Sequence, residues 1–246
     1  MATTIAPLQS AKIRVWDLPL RLFHWLLVIA IALAFLSSEE DSVLNQWHIV
    51  AGWAAGILIV FRIAWGFVGG EHSRFADFVR PSGIGRHFGE LLRGRPEPTL
   101  GHNALGAMSV LLLLIMVAAT VWTGVILMEA LHELIAWTLL TLVAVHVVAV
   151  VLMSLLTRES LVTAMVTGTK PAQRHAGARD ARRPSVAGLV LAAVVVAGTI
   201  YAIQAYDPLA FTLRSAEDYE HGVAGGQNGR IGGEHEEDQA RGDDDS

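Results

Sequence analysis

Apolar residues along this chain fall into five long runs, at about Leu20 to Leu36, Trp47 to Val68, Leu105 to Met128, Leu131 to Leu156 and Val186 to Tyr206, with polar segments between them. Each run is close to the roughly 20 residues that an α-helix needs to cross the hydrocarbon core of a bilayer. The pattern predicts five transmembrane helices and an all-α integral membrane protein. The segment from Gly69 to Gly101 breaks the pattern: it is arginine-rich, interrupted by Gly and Pro, and reads as surface structure with one short helix around HFGELLRG. Beyond Tyr206 the character changes again. The last forty residues carry eleven acidic and three basic side chains (11 − 3 = 8 net negative) among many glycines, a composition that predicts a solvated, disordered tail.

Composition agrees with the runs, since 53% of residues are hydrophobic and only 17% charged, which argues against a soluble domain of this length. Charge then orients the helices. Lys12, Arg14 and Arg21 lie at the start of the first span, Arg74, Arg80, Arg86, Arg93 and Arg95 between the second and third, and Lys170, Arg174, Arg179, Arg182 and Arg183 between the fourth and fifth. The opposite loops, SSEEDSVLNQ and the turn around Glu129 and Glu133, contain no Lys or Arg. The positive-inside rule therefore predicts a cytoplasmic N-terminus and a C-terminus on the outer face of the membrane. A cleaved signal peptide is the competing reading of the first span. Against it, the run continues past Ala32 and Ala34 and carries RLFHW. The absence of cysteine excludes disulfides, thiolate-bound iron–sulfur clusters and haem attached through CxxCH.

Chemistry is concentrated in four histidines. His132 and His146 are fourteen residues apart on one apolar helix, which places both imidazoles on one face at two depths roughly 21 Å apart. His24 and His48 lie on the first and second spans. With alternating helix directions, His24 falls at the depth of His146 and His48 at the depth of His132. An ionisable side chain inside a bilayer is a functional hypothesis with a partner to be named, and two facing imidazoles are what a six-coordinate haem iron uses in electron-transfer cytochromes. Metal ligation is thus expected of His24 with His146 and of His48 with His132. A zinc site would instead gather three or four ligands around one ion. Met116 or Met128 as an axial ligand is a weaker alternative, and polar glue between helices is the structural one.

The neighbours of the histidines fit a flat cofactor. Gly52 and Gly56 follow His48 by four and eight residues on the same face, leaving a groove for a porphyrin plate; a GxxxG helix-packing face is the alternative. Ala136 stands in the same relation to His132. Arg62, fourteen residues after His48, is either a partner for a haem propionate or quinone headgroup or an arginine that snorkels to lipid headgroups. His102, at the mouth of the third span, is expected as a propionate or quinone contact. His72, His87, His175, His221 and His235 read as solvated.

The segments RLFHW, WHIVAGW, ILIVFRIAWGFVG, RFADFVRP to LLRGRPEPTLGHNALG, HELIAWTLLTLVAVHVVAV and TRESLVTAMVTGTKP resemble the prokaryotic cytochrome b561 and nickel-iron hydrogenase cytochrome b subunit family. The resemblance covers about Ile13 to Lys170. It implies a four-helix transmembrane bundle holding two b-type haems, with ligands on the first, second and fourth helices: His24 and His146 for the inner haem, His48 and His132 for the outer. The fifth helix lies outside it. The expected organisation is a cytoplasmic segment at 1–12, the dihaem domain at 13–170, a basic cytoplasmic linker at 171–185, the fifth transmembrane helix at 186–206 and the acidic periplasmic tail at 207–246.

The function this implies is respiratory electron transfer across the membrane between the quinone pool and a redox partner, either a c-type cytochrome drawn to the acidic tail or a hydrogenase or other oxidoreductase complex. The surroundings are membrane lipid, and no nucleic-acid partner is expected. No side chain is assigned a catalytic role, because the redox chemistry belongs to the cofactor. Two rival classes remain: a freestanding oxidoreductase coupling quinone to a small molecule such as superoxide, and a non-haem transporter or membrane anchor that uses the histidines as proton relay or glue.

Overall fold

The computed structural model describes residues 12–39, 41–78, 93, 99–175, 177–215 and 218–219. Among them, five helices are long and apolar enough to cross a membrane: α1 (Leu18–Leu36), α2 (His48–Val68), α3 (Ala104–Val125), α4 (Glu129–Thr157) and, after the short α5 (Leu161–Thr167), α6 (Val186–Tyr206). The protein is an all-α integral membrane protein in architecture, apart from one two-stranded antiparallel sheet. That sheet pairs β1 (Lys12–Arg14) with β2 (Thr169–Pro171), Ile13 opposite Lys170, and was not visible in the hydropathy pattern. The end of the bundle that carries it is called the sheet end below.

Local sequence explains where the helices start. Asp17 accepts the Leu20 N–H at 2.9 Å and Pro19 lies in the first turn of α1. Asn103 accepts from Gly106 at 2.7 Å for α3, Ser160 from Thr163 at 3.1 Å for α5, and Ser185 from Gly188 at 3.0 Å for α6. Each satisfies one of the orphan N–H groups of a first turn. α2 and α4, which begin at the opposite end, have no side-chain cap. The third span stops at Val125 rather than Met128 because Leu127 takes a left-handed conformation (φ 57°), and Met128 N–H then reaches back to the Thr123 carbonyl at 3.0 Å. α4 ends on Arg158 in the same region (φ 52°), and α5 on Gly168 (φ 80°). A Cβ at Gly168 would also lie 2.8 Å from the Trp16 carbonyl, so glycine is required there twice over.

α2 is the centre of the bundle, lying against α1, α3 and α6, while α4 packs mainly on α3. Phe23, Ile59, Trp65, Leu114, Val117 and Leu139 form the shared core. Large apolar side chains such as Ile29, Phe67, Ile115, Leu134, Val148 and Val194 point outward, as expected where lipid replaces water. α6 closes on α2 through a second small core of Trp53, Ile203, Ala210 and Tyr219.

Two polar segments are more ordered than the sequence suggested. In the 171–185 linker, Ala181 N–H donates to the Arg14 carbonyl at 2.9 Å, Asp180 pairs with Arg14 at 2.7 Å, and Arg179 makes two hydrogen bonds to Glu71 at 2.7 and 2.9 Å. The tail expected to be solvated from residue 207 begins packed. Asp207 and Arg214 form a buried ion pair, Arg214 N–H donates to the Gln46 carbonyl at 3.3 Å, and Tyr219 is buried against Trp53. Apolar residues interspersed among the charges (Leu209, Ala210, Phe211, Leu213) give this stretch a contact surface that a net-charge count hides. The rest of the tail, with His221 and His235, lies outside the described residues, as do the helix expected around HFGELLRG and His87.

Candidate functional site

The bundle brings the four intramembrane histidines together two by two, in the pairs that depth along the sequence had matched. At the end opposite the sheet, the rings of His48 and His132 have centroids 6.1 Å apart and planes at 78°. His48 is the first residue of α2, placed there by the 3₁₀ turn Asn45–Trp47, and His132 lies in the first turn of α4. His48 Nδ1 is 2.9 Å from the Ala34 carbonyl and His132 Nδ1 is 2.9 Å from the Thr120 carbonyl. A carbonyl only accepts, so both Nδ1 atoms carry the proton and both Nε2 atoms keep a lone pair. Gly124 makes room for this arrangement: a Cβ there would stand 3.2 Å from two atoms of the His132 ring.

Toward the sheet end, His24 on α1 and His146 on α4 lie near one another. His146 Nδ1 is 3.2 Å from the Ser109 hydroxyl on α3. α1 and α4 make little direct contact, one point being the edge of Phe35 against Trp137 with centroids 6.2 Å apart.

An iron between two imidazole nitrogens sets their ring centroids about 6 Å apart, from two metal–nitrogen bonds of about 2 Å and about 1 Å of each ring. The 6.1 Å of His48 and His132 matches that spacing, and a ligating histidine characteristically donates its other N–H to an acceptor such as a carbonyl. The donor set therefore fits a haem iron. Among the described residues no three His, Asp or Glu side chains converge as a metal site, so the zinc-like alternative gains nothing.

The glycines on α2 divide. Among the described residues a Cβ at Gly52 would meet nothing within 4 Å, whereas one at Gly56 would touch Val121 on α3 at 3.3 Å. Gly52 thus borders open space beside His48, and Gly56 serves close helix packing. Arg62 is 1% exposed, with Nη1 donating to the Ser73 carbonyl at 3.1 Å and its guanidinium 4.9 Å over the Phe75 ring. It is turned into the protein and does not snorkel.

Around Arg62 lies a polar network that the sequence did not announce. Asp17 accepts from Trp65 Nε1 at 3.1 Å, from Gly70 N–H at 3.0 Å and from the Ser73 hydroxyl at 2.6 Å, besides capping α1. His102 packs on Trp16, centroids 4.8 Å apart. Loss of water around it, then the nearby charges of Arg62 and Lys170, push its pKa down to about 3, so it is neutral. His72, expected in solvent, pairs with Asp77 at 2.7 Å. His175, likewise expected in solvent, is buried and bonded to Glu159 at 2.9 Å. Glu159 also faces Lys170 at 3.5 Å, and Lys170 donates to the Thr99 carbonyl at 2.6 Å. Burial lowers the Lys170 pKa, with Glu159 opposing. The TRES and TGTK segments of the sequence contain Glu159 and Lys170, but spacing alone gives no sign that they meet.

Comparison with known proteins gives three findings. The family model described as prokaryotic cytochrome b561 matches residues 15–168, a stretch that includes all four histidines. The chain is similar to a protein of Rhizobium leguminosarum bv. viciae named "Probable Ni/Fe-hydrogenase B-type cytochrome subunit", 23% identical over 217 residues, covering 66% of this chain and 90% of that protein. It is similar to a protein of the same name from Azotobacter vinelandii, 24% identical over 214 residues, 65% of this chain and 89% of that one. No solved structure matches it significantly.

Proposed function

This chain belongs to the prokaryotic cytochrome b561 family, and we propose that it is a dihaem membrane cytochrome that carries electrons between the quinone pool and a redox enzyme. Membership makes it a b-type cytochrome of membrane electron transfer; the number of haems, their ligands and the partners are the proposal. His24 and His146 hold one haem near the sheet end, and His48 and His132 hold the other. The observation that carries this reading is the His48–His132 pair, 6.1 Å apart with both Nδ1 atoms on main-chain carbonyls. Residues 13–170 are the haem-binding domain, and α6 is an addition to it.

Bound there, haem supplies reversible one-electron chemistry. The chain's own residues hold and orient. The Ala34 and Thr120 carbonyls fix two imidazole tautomers, Gly52 leaves the plate its room, and Arg62 and His102 serve a propionate or a quinone headgroup at the sheet end. The basic residues of the sheet-end segments favour a cytoplasmic location for that end in a bacterial inner membrane, with residues 207–246 on the other side. Because the two relatives are named as hydrogenase cytochrome subunits, a nickel–iron hydrogenase is the partner we favour over a soluble c-type cytochrome.

The test is a reduced-minus-oxidised spectrum of the purified chain with haem quantified per polypeptide. Two b-type haems are expected, with His24→Ala and His146→Ala losing the same one and His48→Ala and His132→Ala the other. Cross-matched losses, or no haem, would sink the reading.

A further inference from the structure

The two histidine pairs are anchored by different chemistry. His48 and His132 each present Nδ1 to a carbonyl at 2.9 Å, so the acceptor belongs to the backbone and is the same whatever side chain stands at Ala34 or Thr120. His132 also has the Thr123 hydroxyl at 3.4 Å, a longer contact. His146 differs. Its Nδ1 faces a side-chain hydroxyl, Ser109 Oγ, at 3.2 Å. Ser109 stands in the apolar run SVLLLLIMV of α3, and its hydroxyl is spent on a ring of the neighbouring helix.

Hydrogen bonding at the far nitrogen of a ligating imidazole sets how much electron density the ring passes to the metal. A good acceptor draws the N–H proton outward, makes the ring a stronger donor and favours the ferric state; a weaker or absent acceptor favours the ferrous state. A hydroxyl is a weaker acceptor than an amide carbonyl, and its proton can turn either way. We propose that Ser109 is a positioning and tuning residue for the sheet-end haem, orienting the His146 ring and setting that haem's midpoint potential through the Nδ1–H···Oγ bond that His146 makes when its Nε2 is on iron. The couple is one electron on iron, and the Nδ1 proton stays on the ring in both states. The inference rests on ligation of iron by His146. Arg62 and His102 lie nearby, and their electrostatic influence on the same haem is unchanged by substitution at Ser109.

The experiment is an optical redox titration of the full-length, haem-loaded protein, comparing parent, Ser109→Ala and Ser109→Thr, with haem counted in each. Ser109→Ala is expected to retain both haems and to shift one midpoint upward, namely the one lost in His146→Ala. Ser109→Thr, which keeps a hydroxyl, is expected to titrate as the parent. The proposal is overturned if Ser109→Ala titrates as the parent, if the other haem shifts instead, or if Ser109→Thr shifts as Ala does. Loss of a haem in Ser109→Ala would also overturn it, since the hydroxyl would then be needed for binding and not for tuning. If His146→Ala keeps both haems, the ligation itself falls, an outcome distinct from a tuning failure with ligation intact.

Discussion

The two ends of the bundle solve the same problem, holding a pair of imidazoles still inside a membrane, with different materials. Opposite the sheet, both rings hang on main-chain carbonyls, and the helices that carry them start without side-chain caps. At the sheet end the helix starts are capped by Asp17, Asn103 and Ser185, and the anchor of the His146 ring, Ser109, is a side chain. The difference teaches where substitution can act. Main-chain anchors respond only to changes that displace the backbone or invade the ring's space, whereas side-chain anchors and caps can be removed one atom group at a time.

The sharpest way to break the first half of that contrast is Gly124→Val. Its Cβ would sit 3.2 Å from His132 Cε1 and Nδ1, and the added methyl groups would drive the ring off its carbonyl, since packed interiors do not yield freely. The expected outcome is complete loss of the haem that His132→Ala loses, with the other retained, read by haem per chain. Retention of both haems with parent spectra would show that the ring tolerates displacement and that the carbonyl anchor is not decisive.

At the sheet end the corresponding weak point is Asp17. Its carboxylate caps α1 and accepts from Trp65, Gly70 and Ser73, so Asp17→Ala strands several donors and removes a negative charge close to Arg62. The expected cost is about 3 kcal/mol of stability, measured by thermal unfolding in detergent, with both haems still bound at low temperature. A change no larger than that of a surface substitution would show that the network is incidental.

How much of this was legible in the sequence follows from the kind of interaction involved. The five spans and the matched depths of the histidines depend on hydropathy and helix rise, which are local and periodic, so they could be read directly. The sheet of Ile13 against Lys170, the Asp17 network and the Glu159–His175 contact join polar segments far apart in the chain. A polar loop residue looks the same in sequence whether it meets water or a buried partner, and for that reason His72 and His175 were read as solvated. Ser109 was within reach: matching depths for hydroxyls as for histidines sets it beside His146. Arg62 had two open readings, and its burial against Ser73 and Phe75 selects the inward one.

Arg62 also offers a way to sharpen the contrast through charge. A buried cation near one haem favours the extra electron on that haem and, in a medium of low dielectric, acts over several ångströms. Arg62→Gln is therefore expected to lower the midpoint of the sheet-end haem and leave the other unchanged, in the same optical titration. Equal shifts of both would mean that the substitution acts through the fold as a whole.

The smallest expected effect concerns the strap formed by residues 177–185 at the sheet end. Glu71 is held there by Arg179, with Arg182 N–H at 3.0 Å, and these partners, Arg179 first, push its pKa from the ordinary 4.5 down to about 2. A carboxylate with a depressed folded pKa contributes stability that is complete above the ordinary value and is lost as pH falls through the folded one. Between about pH 4.5 and about pH 2, the Arg182 amide should therefore lose protection from hydrogen exchange beyond the intrinsic pH dependence. Glu71→Gln, which cannot ionise, should start less protected and show a smaller loss, while the Ala181 N–H bond to the Arg14 carbonyl, which does not titrate, keeps the strap in place. The pair of Glu71 with Arg179 is solvent-accessible, so its net contribution is small and the global unfolding temperature should barely move. A large drop would instead make the strap part of the load that Asp17 carries.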